Sequence, residues 1–247
     1  MTDVLLETRD LALAYGAFRA VDGVSLRIAR GSIHTVIGPN GAGKTSLFHC
    51  LTGERRPTAG RILLDGREIT REPPHGRVGL GMSRSFQVTS LFQELSVHEN
   101  LRLAAQGIDG WRALNFWQRL NKRREHLARA DEILERIGLA ERAGVAAGEL
   151  SHGQQRILEV GMAICPRPKL LLLDEPTSGM GIDDIPSMTS LIGELGEDHS
   201  ILLIEHNMSI VSSFTDEVGQ NCSQSVYDVK AGVFIVNINK FVYVIVV

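Results

Sequence analysis

Gly38 to Thr45 is the segment whose residue types and spacing most clearly predict chemistry. Its sequence, GPNGAGKT, matches every fixed position of the phosphate loop G-x-x-x-x-G-K-[ST]. In such a loop backbone N–H groups surround nucleotide phosphates, Lys44 contacts the β- and γ-phosphates, and the Thr45 hydroxyl binds Mg²⁺. Gly41 and Gly43 allow close backbone approach and conformations that other residues avoid. The candidate cofactor-binding residues of this segment are Gly38, Pro39, Asn40, Gly41, Ala42, Gly43, Lys44, Thr45 and Ser46.

Two adjacent carboxylates, Asp174 and Glu175, follow the apolar run Leu170 to Leu173. The run predicts a strand, and an open parallel sheet binds its ligands beyond the carboxyl ends of its strands. We expect Asp174 to hold Mg²⁺ and Glu175 to polarise the water that attacks a γ-phosphate, because in-line phosphoryl transfer depends mainly on positioning and electrostatics. A solvated acidic pair that caps the next helix is the alternative, and the phosphate loop earlier in the chain favours the catalytic interpretation.

A third segment, Leu150-Ser151-His152-Gly153-Gln154, predicts the start of a helix. Ser151 and Gln154 fit a capping box, in which each side chain satisfies a backbone N–H group of the other residue. A helix N-terminus is also an anion site, because its N–H groups are exposed and the helix dipole adds partial positive charge. A plain helix start and a phosphate contact are therefore compatible interpretations.

The order and spacing of these three segments resemble the ATP-binding subunit of an ABC transporter, from about residue 5 to about residue 216. The resemblance implies ATP and Mg²⁺ as cofactors and ATP hydrolysis as the activity. The third segment is similar to the ABC signature, usually written LSGGQ, with His152 where glycine is commoner. In the family, the matching residues Ser151, Gly153 and Gln154 complete the nucleotide site of a second subunit, so two chains meet head to tail around two ATP molecules.

Three further residues receive roles only from this resemblance. Gln87 matches the glutamine that contacts Mg²⁺ or the attacking water, and His206 matches the switch histidine that holds Glu175 and the water in line. Tyr15 is similar to the aromatic residue that stacks on adenine. Without the resemblance, a surface glutamine, an ordinary strand-end histidine and an aromatic on a strand face are the simpler interpretations.

Two segments depart from the family pattern. Gly181 stands where many ABC subunits have the aspartate of the D-loop, and either Asp183 or Asp184 could replace it. After about residue 219 the family continues with a strand, a glycine turn, two short strands and a closing helix, none of which is apparent in residues 218–247. The chain ends in FVYVIVV, an uncharged run that pairs readily with any open strand edge. We interpret 218–247 as an altered tail that bears on stability and solubility rather than on chemistry.

The elements that must position these residues change in period along the chain. Strand patterns dominate from Val4 to about Leu64, and helical patterns follow from Ser96 to about Gly161. Near-continuous apolar strands then alternate with an amphipathic helix, which predicts a parallel sheet covered on both faces. We expect an α/β P-loop NTPase of the ABC ATPase fold, with a mainly parallel core sheet, an antiparallel β portion and a helical insert. The predicted organisation is one domain, 1–247, with a core of 1–87 and 162–217, a helical signature subdomain of 88–161 and an atypical tail of 218–247.

Composition restricts the compartment and the partners. The formal net charge of −3 gives no sign of general affinity for nucleic acid. Three cysteines without metal-like spacing favour a reducing compartment, and the N-terminal residues lack a signal-peptide pattern. No apolar run reaches the roughly 18 residues of a transmembrane helix. We expect a cytoplasmic chain that reaches the membrane through a partner.

The resemblance favours the ATPase of an importer for branched-chain amino acids. The bulky residue at position 152, the Ser85-Phe86-Gln87 sequence and the helical stretch around Leu114 to Gln118 are similar to that branch. The implied partners are a second ATP-binding subunit, identical or paralogous, transmembrane permease subunits and, indirectly, a solute-binding protein. The alternatives are a urea, amide or other small-solute importer, a soluble ABC ATPase that acts on nucleic acid or ribosomes, and a nucleotide-binding regulator without turnover.

Overall fold

The computed structural model describes residues 3–85, 91–107, 119–205, 225–229, 233–238 and 241–246, with the backbone alone for 119–123 and for the segments after 224. The strands in these ranges are β1 (Val4–Tyr15), β2 (Phe18–Val24), β3 (Arg27–Ala29), β4 (Ile33–Ile37), β5 (Ala59–Leu64), β6 (Arg67–Glu68), β7 (Met82–Arg84), β8 (Leu170–Asp174), β9 (Ser200–Glu205), β10 (Ser225–Val229), β11 (Val233–Ile238) and β12 (Phe241–Val246). The helices are α1 (Lys44–Thr52), α2 (Pro74–Gly79), α3 (Val97–Gln106), α4 (Arg119–Arg136), α5 (His152–Ile164) and α6 (Ile185–Asp198).

The main sheet has the strand order β10-β11-β12-β4-β9-β8-β7. Its strands from β12 to β7 run parallel, and β10, β11 and β12 are antiparallel to one another. β9 lies between β4 and β8, with Ile37 opposite Glu205 and Asp174 opposite Ile204. The carboxyl ends of β4, β8 and β9 therefore meet at one edge of the sheet, where a parallel sheet binds ligands.

A second, antiparallel sheet contains β2, β1, β5 and β6 in that order, with β3 also paired to β1. The chain leaves the ladder between β2 and β3, although apolar and polar residues alternate from Val24 to Ile28. At this break the Thr8 hydroxyl donates to the Val24 carbonyl at 3.0 Å and accepts from the Leu26 N–H at 2.8 Å. The Thr8 side chain thus satisfies the Val24 carbonyl and the Leu26 N–H, which have left the strand ladder.

The two faces of the parallel sheet bury different cores, because successive side chains of a strand point to opposite faces. In β8, Leu171 and Leu173 belong to a core built with α3, α4, α5 and α6. Leu170 and Leu172 belong to a second core that includes Phe48 of α1 and the antiparallel sheet. All five residues of β8 are buried, which explains the near-continuous apolar run in its sequence.

Helices α3 to α5 occupy the middle of the chain, as their period predicted. Ser96 caps α3 by accepting a hydrogen bond from the Glu99 N–H at 3.1 Å. On α4, Ile133 and Leu134 are buried and Leu127 is half-buried, and burial continues to Ile137 just past the helix. Gly138 follows in the left-handed conformation, φ 68°, which helices commonly adopt just past their end. Among the described helices, none has the length and apolar character needed to cross a membrane.

The tail departs from the sequence-based expectation, because the described residues after 224 form three strands. β12 pairs in parallel with β4 along Phe241 to Ile245, and its other edge pairs antiparallel with β11. The apolar run at the end of the chain is therefore enclosed between two strands and is not an open edge. The strand that carries the phosphate loop gains a neighbour on each side.

Candidate active site

The phosphate loop joins β4 to α1. All residues of β4 are buried, and α1 begins at Lys44 with Gly43 as its N-cap. Gly41 and Gly43 have φ values of 86° and 91°, in the left-handed region that favours glycine. A Cβ at Gly43 would also overlap the carbonyl oxygen of Ala20, whereas one at Gly41 would meet nothing. The two predicted special glycines are thus confirmed, and Gly43 is restricted in two ways.

The Lys44 side chain lies across the start of this loop. Its ammonium donates hydrogen bonds to the carbonyl oxygens of Gly38 at 2.6 Å and Pro39 at 2.9 Å, and the residue is 6% exposed. Thr45, at the second position of α1, is exposed, and Ser46 is half-buried. The loop therefore holds a buried cation beside an exposed hydroxyl at a helix N-terminus, which suits the binding of an anionic phosphate chain.

Asp174 ends β8 as a buried carboxylate. It is 4% exposed, and no described residue donates a hydrogen bond to its Oδ1 atom. Burial raises its pKa to about 6, with further increases from Glu175 and Glu205 and opposing effects of Arg84 and Lys44. A buried carboxylate oxygen without a donor is costly unless a cation or a proton satisfies it. This atom therefore fits a metal ligand.

Glu175 begins the turn after β8 in a strained conformation. Its φ is 47°, one of four positive values among the described residues other than glycine. Its N–H donates to the Ile204 carbonyl at 2.9 Å, and its own carbonyl accepts from the Ser178 N–H at 3.0 Å. Such strain is typical of active-site residues and persists only where neighbouring bonds maintain it.

Four residues beside the carboxylates had no sequence signal that assigned them to the site. The Ser85 hydroxyl accepts from the Asp174 N–H at 3.4 Å. Arg84, whose charge lowers the Asp174 pKa, pairs with Glu54 at 2.6 Å. Thr177 donates through its hydroxyl to the buried Glu205 at 2.6 Å. These residues come from separate strands and turns, so only the packed sheet brings them together.

The signature segment forms the predicted capping box at the start of α5. Ser151 Oγ accepts from the Gln154 N–H, and Gln154 Oε1 accepts from the Ser151 N–H, both at 3.2 Å. Ser151 and His152 are exposed, while Gly153 is buried. The cap leaves the exposed start of α5 facing outward, where a ligand held by another chain could reach it.

The segment after Glu175 packs against this helix start. A Cβ at Gly153 would overlap the Asp184 carboxylate, and a Cβ at Gly179 would approach His152 Nε2 to 2.8 Å. Of the two aspartates considered for the D-loop, Asp184 is the one that contacts the signature of its own chain. This contact explains why Gly153 is small, since a side chain there would displace Asp184.

Three predicted site residues lie away from these contacts or outside the description. Tyr15 ends β1 opposite Phe18 in a hairpin, and its side chain is 46% exposed, so the ring is accessible to an adenine. Gln87 and His206 lie outside the described residues. Glu205, the residue before His206, is the last described residue of β9.

Comparison with known proteins identifies the family of this chain. The ABC transporter family matches residues 21–178. The high-affinity branched-chain amino acid transport ATP-binding protein BraF of Pseudomonas aeruginosa is 39% identical over 229 residues, with 88% of each chain covered. LivG of Escherichia coli K12, of the same description, is 38% identical over 226 residues and 88% of each chain. The ADP conformation of MJ1267, an ATP-binding cassette of an ABC transporter, has a TM-score of 0.75, 31% identity and coverage of 85% and 84%.

The family match and the site geometry lead to one conclusion. The phosphate loop, the carboxylate pair and the capped signature helix all lie within the matched residues 21–178. The matched residues include most of the chain that carries these features. The chain belongs to the ABC transporter family, as an ATP-binding cassette.

Proposed function

We propose that this chain is the ATP-hydrolysing subunit of an ABC importer and powers the uptake of branched-chain amino acids through partner membrane subunits. The observation that carries the proposal is the position of β9 between β4 and β8. It brings Lys44 and the pair Asp174 and Glu175 to one edge of the sheet, where a triphosphate and an attacking water could meet.

The phosphate end of ATP is held by the loop. Lys44 exchanges its carbonyl partners for the β- and γ-phosphates, and the N–H groups at the start of α1 bind the same oxygens. The Tyr15 ring stacks on adenine, since its exposed face accepts any base. Binding therefore needs no large rearrangement of β4 or α1.

Thr45, Asp174 and Gln87 are the residues that would hold Mg²⁺. Asp174 Oδ1, buried and without a donor among the described residues, supports this assignment, as does the exposed Thr45 hydroxyl. This set of ligands agrees with Mg²⁺, which uses one or two carboxylates together with substrate phosphates and water. When bound, Mg²⁺ neutralises charge on the β- and γ-phosphates.

Glu175 polarises the attacking water, with His206 and Gln87 holding that water and the γ-phosphate in line. Two observations support this role: Glu175 follows the last residue of β8 with φ 47°, and its charge raises the pKa of Asp174. Because phosphoryl transfer is catalysed by positioning and electrostatics, a fixed carboxylate at this point is sufficient for the role.

The complete site needs a second cassette. Ser151, Gly153 and Gln154 stand at the exposed end of α5 and bind the γ-phosphate held by the other chain. ATP then favours the closed pair and hydrolysis favours the open one, because the ligand binds the two states with different affinity. Both chains contribute half of each of two sites.

The membrane partners dock beside the helical subdomain, with the chain peripheral on the cytoplasmic face. Phe92 and Leu95, just before α3, are 54% and 36% exposed and provide apolar contact area there. The motion of residues 88–161 against the core, hinged near Gln87, passes to the permease subunits. A solute-binding protein supplies the amino acid from the other side, and nucleic acid has no part.

Reconstitution with the permease subunits tests the transported solute. The subunits that copurify with this chain are placed in liposomes with candidate binding proteins, and ATP turnover is measured with leucine, isoleucine, valine, urea or amides. We expect the branched-chain amino acids to raise turnover and the others to leave it at the basal rate. Stimulation by urea or an amide alone would contradict the assigned solute but not the ATPase.

Two substitutions test the site itself. Glu175→Gln is expected to abolish phosphate release while retaining ATP binding, since it removes only the group that polarises water. Ser151→Arg is expected to prevent nucleotide-dependent dimerisation while ATP still binds each chain. Normal turnover in the first variant, or normal dimerisation in the second, would contradict the role of that residue.

A further inference from the structure

We propose that the hydrogen bond between Thr177 and Glu205 is a positioning link, which holds the turn that carries Glu175 against β9 and so sets the rate of ATP hydrolysis. Glu205 and Thr177 have received no role above beyond their contact. The proposal rests on the proposed role of Glu175, and the variants below separate the failure of one from the failure of the other.

The link is short, buried and specific. Thr177 Oγ1 donates to Glu205 Oε1 at 2.6 Å, near the short end of the range for O–H···O hydrogen bonds. Glu205 is fully buried and Thr177 is 7% exposed. A bond of this kind is strong in a site that excludes water, because no solvent competes for either group.

The turn is attached to β9 at two consecutive residues. The Glu175 N–H donates to the carbonyl of Ile204 at 2.9 Å, and Thr177 donates to the side chain of Glu205. Between these attachments the backbone of Glu175 has φ 47°, a conformation that relaxes unless neighbouring contacts maintain it. With the backbone bond alone, the turn could rotate about Ile204 and carry the Glu175 carboxylate away from the water.

Glu205 also has the right place in the sheet for this purpose. It ends β9, opposite Ile37, the residue that precedes the phosphate loop. The next residue, His206, is the proposed switch histidine. The buried side chain of Glu205 thus joins the turn that carries Glu175 to β9, the strand between β4 and β8. Displacement of a reacting group by about 1 Å can cost roughly 100-fold in rate.

The test compares three threonine variants of the full chain. Thr177→Val keeps the shape and removes the donor, and Thr177→Ser restores the donor. Thr189→Val is the matched control, because Thr189 is also buried and donates at 3.0 Å, but to the Ile185 carbonyl within α6. For each variant kcat, the Kd for a fluorescent ATP analogue and Tm are measured.

We expect Thr177→Val to lower kcat at least about tenfold with the nucleotide Kd changed less than about twofold, since only positioning is lost. Thr177→Ser should keep kcat within about threefold, and Thr189→Val should leave it unchanged even where both valine variants lose similar Tm. An unchanged kcat in Thr177→Val, or an equal loss in Thr189→Val, would overturn the proposal.

Glu205→Gln and the double variant complete the experiment. In Glu205→Gln the amide oxygen can still accept from Thr177, so the positioning link is kept. Because the proposal gives Glu205 no contact with the metal, the Mg²⁺ concentration that gives half-maximal turnover should remain the same. Thr177→Val should cost much less in the background of Glu205→Ala than in the native chain, because the link is already absent. Additive losses of kcat in the double variant would show that Glu205 acts independently of Thr177. A raised Mg²⁺ requirement in Glu205→Gln would show that Glu205 is a metal ligand. Either result would overturn the proposal. A normal rate of ATP hydrolysis in Glu175→Gln would contradict the proposed role of Glu175 itself. If Glu175→Gln is inactive but Thr177→Val has a normal rate, only the positioning role of the Thr177–Glu205 hydrogen bond is contradicted.

Discussion

At the scale of single residues, Gly41 and Gly43 look equivalent in sequence but differ in their surroundings. Both have left-handed backbones, which cost a residue with a Cβ roughly 1–2 kcal/mol. Only at Gly43 would that Cβ also overlap a backbone carbonyl, that of Ala20. Backbone atoms cannot move aside as a flexible side chain can.

Alanine substitutions at these two glycines should therefore separate strain from overlap. Gly41→Ala is expected to lower the free energy of unfolding by about 1 kcal/mol, and Gly43→Ala by about 3 kcal/mol or more, with loss of ATP binding. Denaturant unfolding and nucleotide titration measure the two effects. Equal losses in both variants would show that overlap with Ala20 contributes nothing.

Asp174 makes the stability of the nucleotide-free chain depend on pH. Its pKa is about 6 in the folded state, above its ordinary value of 3.8, mainly because the carboxylate is buried. Between these values the folded state binds more protons than the unfolded state, so stability falls as pH rises through this window. At neutral pH the charged, buried form reduces stability.

Asp174→Asn is accordingly expected to raise stability at pH 7 by about 2 kcal/mol, with the gain vanishing near pH 4, while Mg²⁺-dependent turnover is lost. Thermal unfolding in EDTA at both pH values measures the effect. Asp65→Asn is the control, because Lys169 and then Arg30 lower the pKa of that carboxyl. This substitution should therefore not raise stability at pH 7. A loss of stability in Asp174→Asn at pH 7 would contradict the expected direction.

At the scale of elements, the buried guanidinium of Arg77 contacts the C-terminal end of α1. Arg77 of α2 is 2% exposed and donates to the carbonyls of Cys50 at 2.8 Å and Leu51, near the end of α1. It also donates to the carbonyls of Glu72 and Ile69, each at 3.0 Å. Burial lowers its pKa to about 10, so it stays charged at neutral pH. One side chain thus donates to two carbonyls at the end of α1, where Cys50 also accepts from the Gly53 N–H at 3.3 Å.

Arg77→Met should lower the free energy of unfolding by about 3 kcal/mol, because it removes a buried guanidinium that donates to four backbone carbonyls. The control is Arg67→Ala, since Arg67 forms an exposed pair with Glu72 at 2.8 Å and should cost less than about 1 kcal/mol. Urea unfolding compares the two. Similar small losses would mean that water replaces the guanidinium at the end of α1.

At the scale of the whole molecule, the last three strands are part of the sheet that carries the phosphate loop. β12 lies between β4 and β11, with Val244 opposite Val36 of β4, whereas β10 ends the strand order. Removal of pairing at β12 would expose one edge of β4. The tail therefore bears on stability through backbone pairing.

Proline substitutions in the tail test this pairing. Val244→Pro removes a ladder hydrogen bond in an interior strand and is expected to lower Tm markedly and to promote aggregation. Val226→Pro, in β10, should have a smaller effect, because edge strands tolerate proline better. Thermal unfolding and size-exclusion chromatography measure both. A smaller loss in Val244→Pro than in Val226→Pro would contradict the pairing of β12 with β4.

The sequence by itself determined the local features of this protein. The phosphate loop, the capping box at Ser151 and the buried strand before Asp174 are written in consecutive residues, because backbone conformation and periodicity are local properties. Only the tertiary structure decided which separate elements meet. The contacts of Thr177 with Glu205, of Asp184 with the start of α5 and of the tail with β4 each join distant parts of the chain. Sequence spacing could not predict them, since strand order and side-chain packing arise only when the whole sheet assembles.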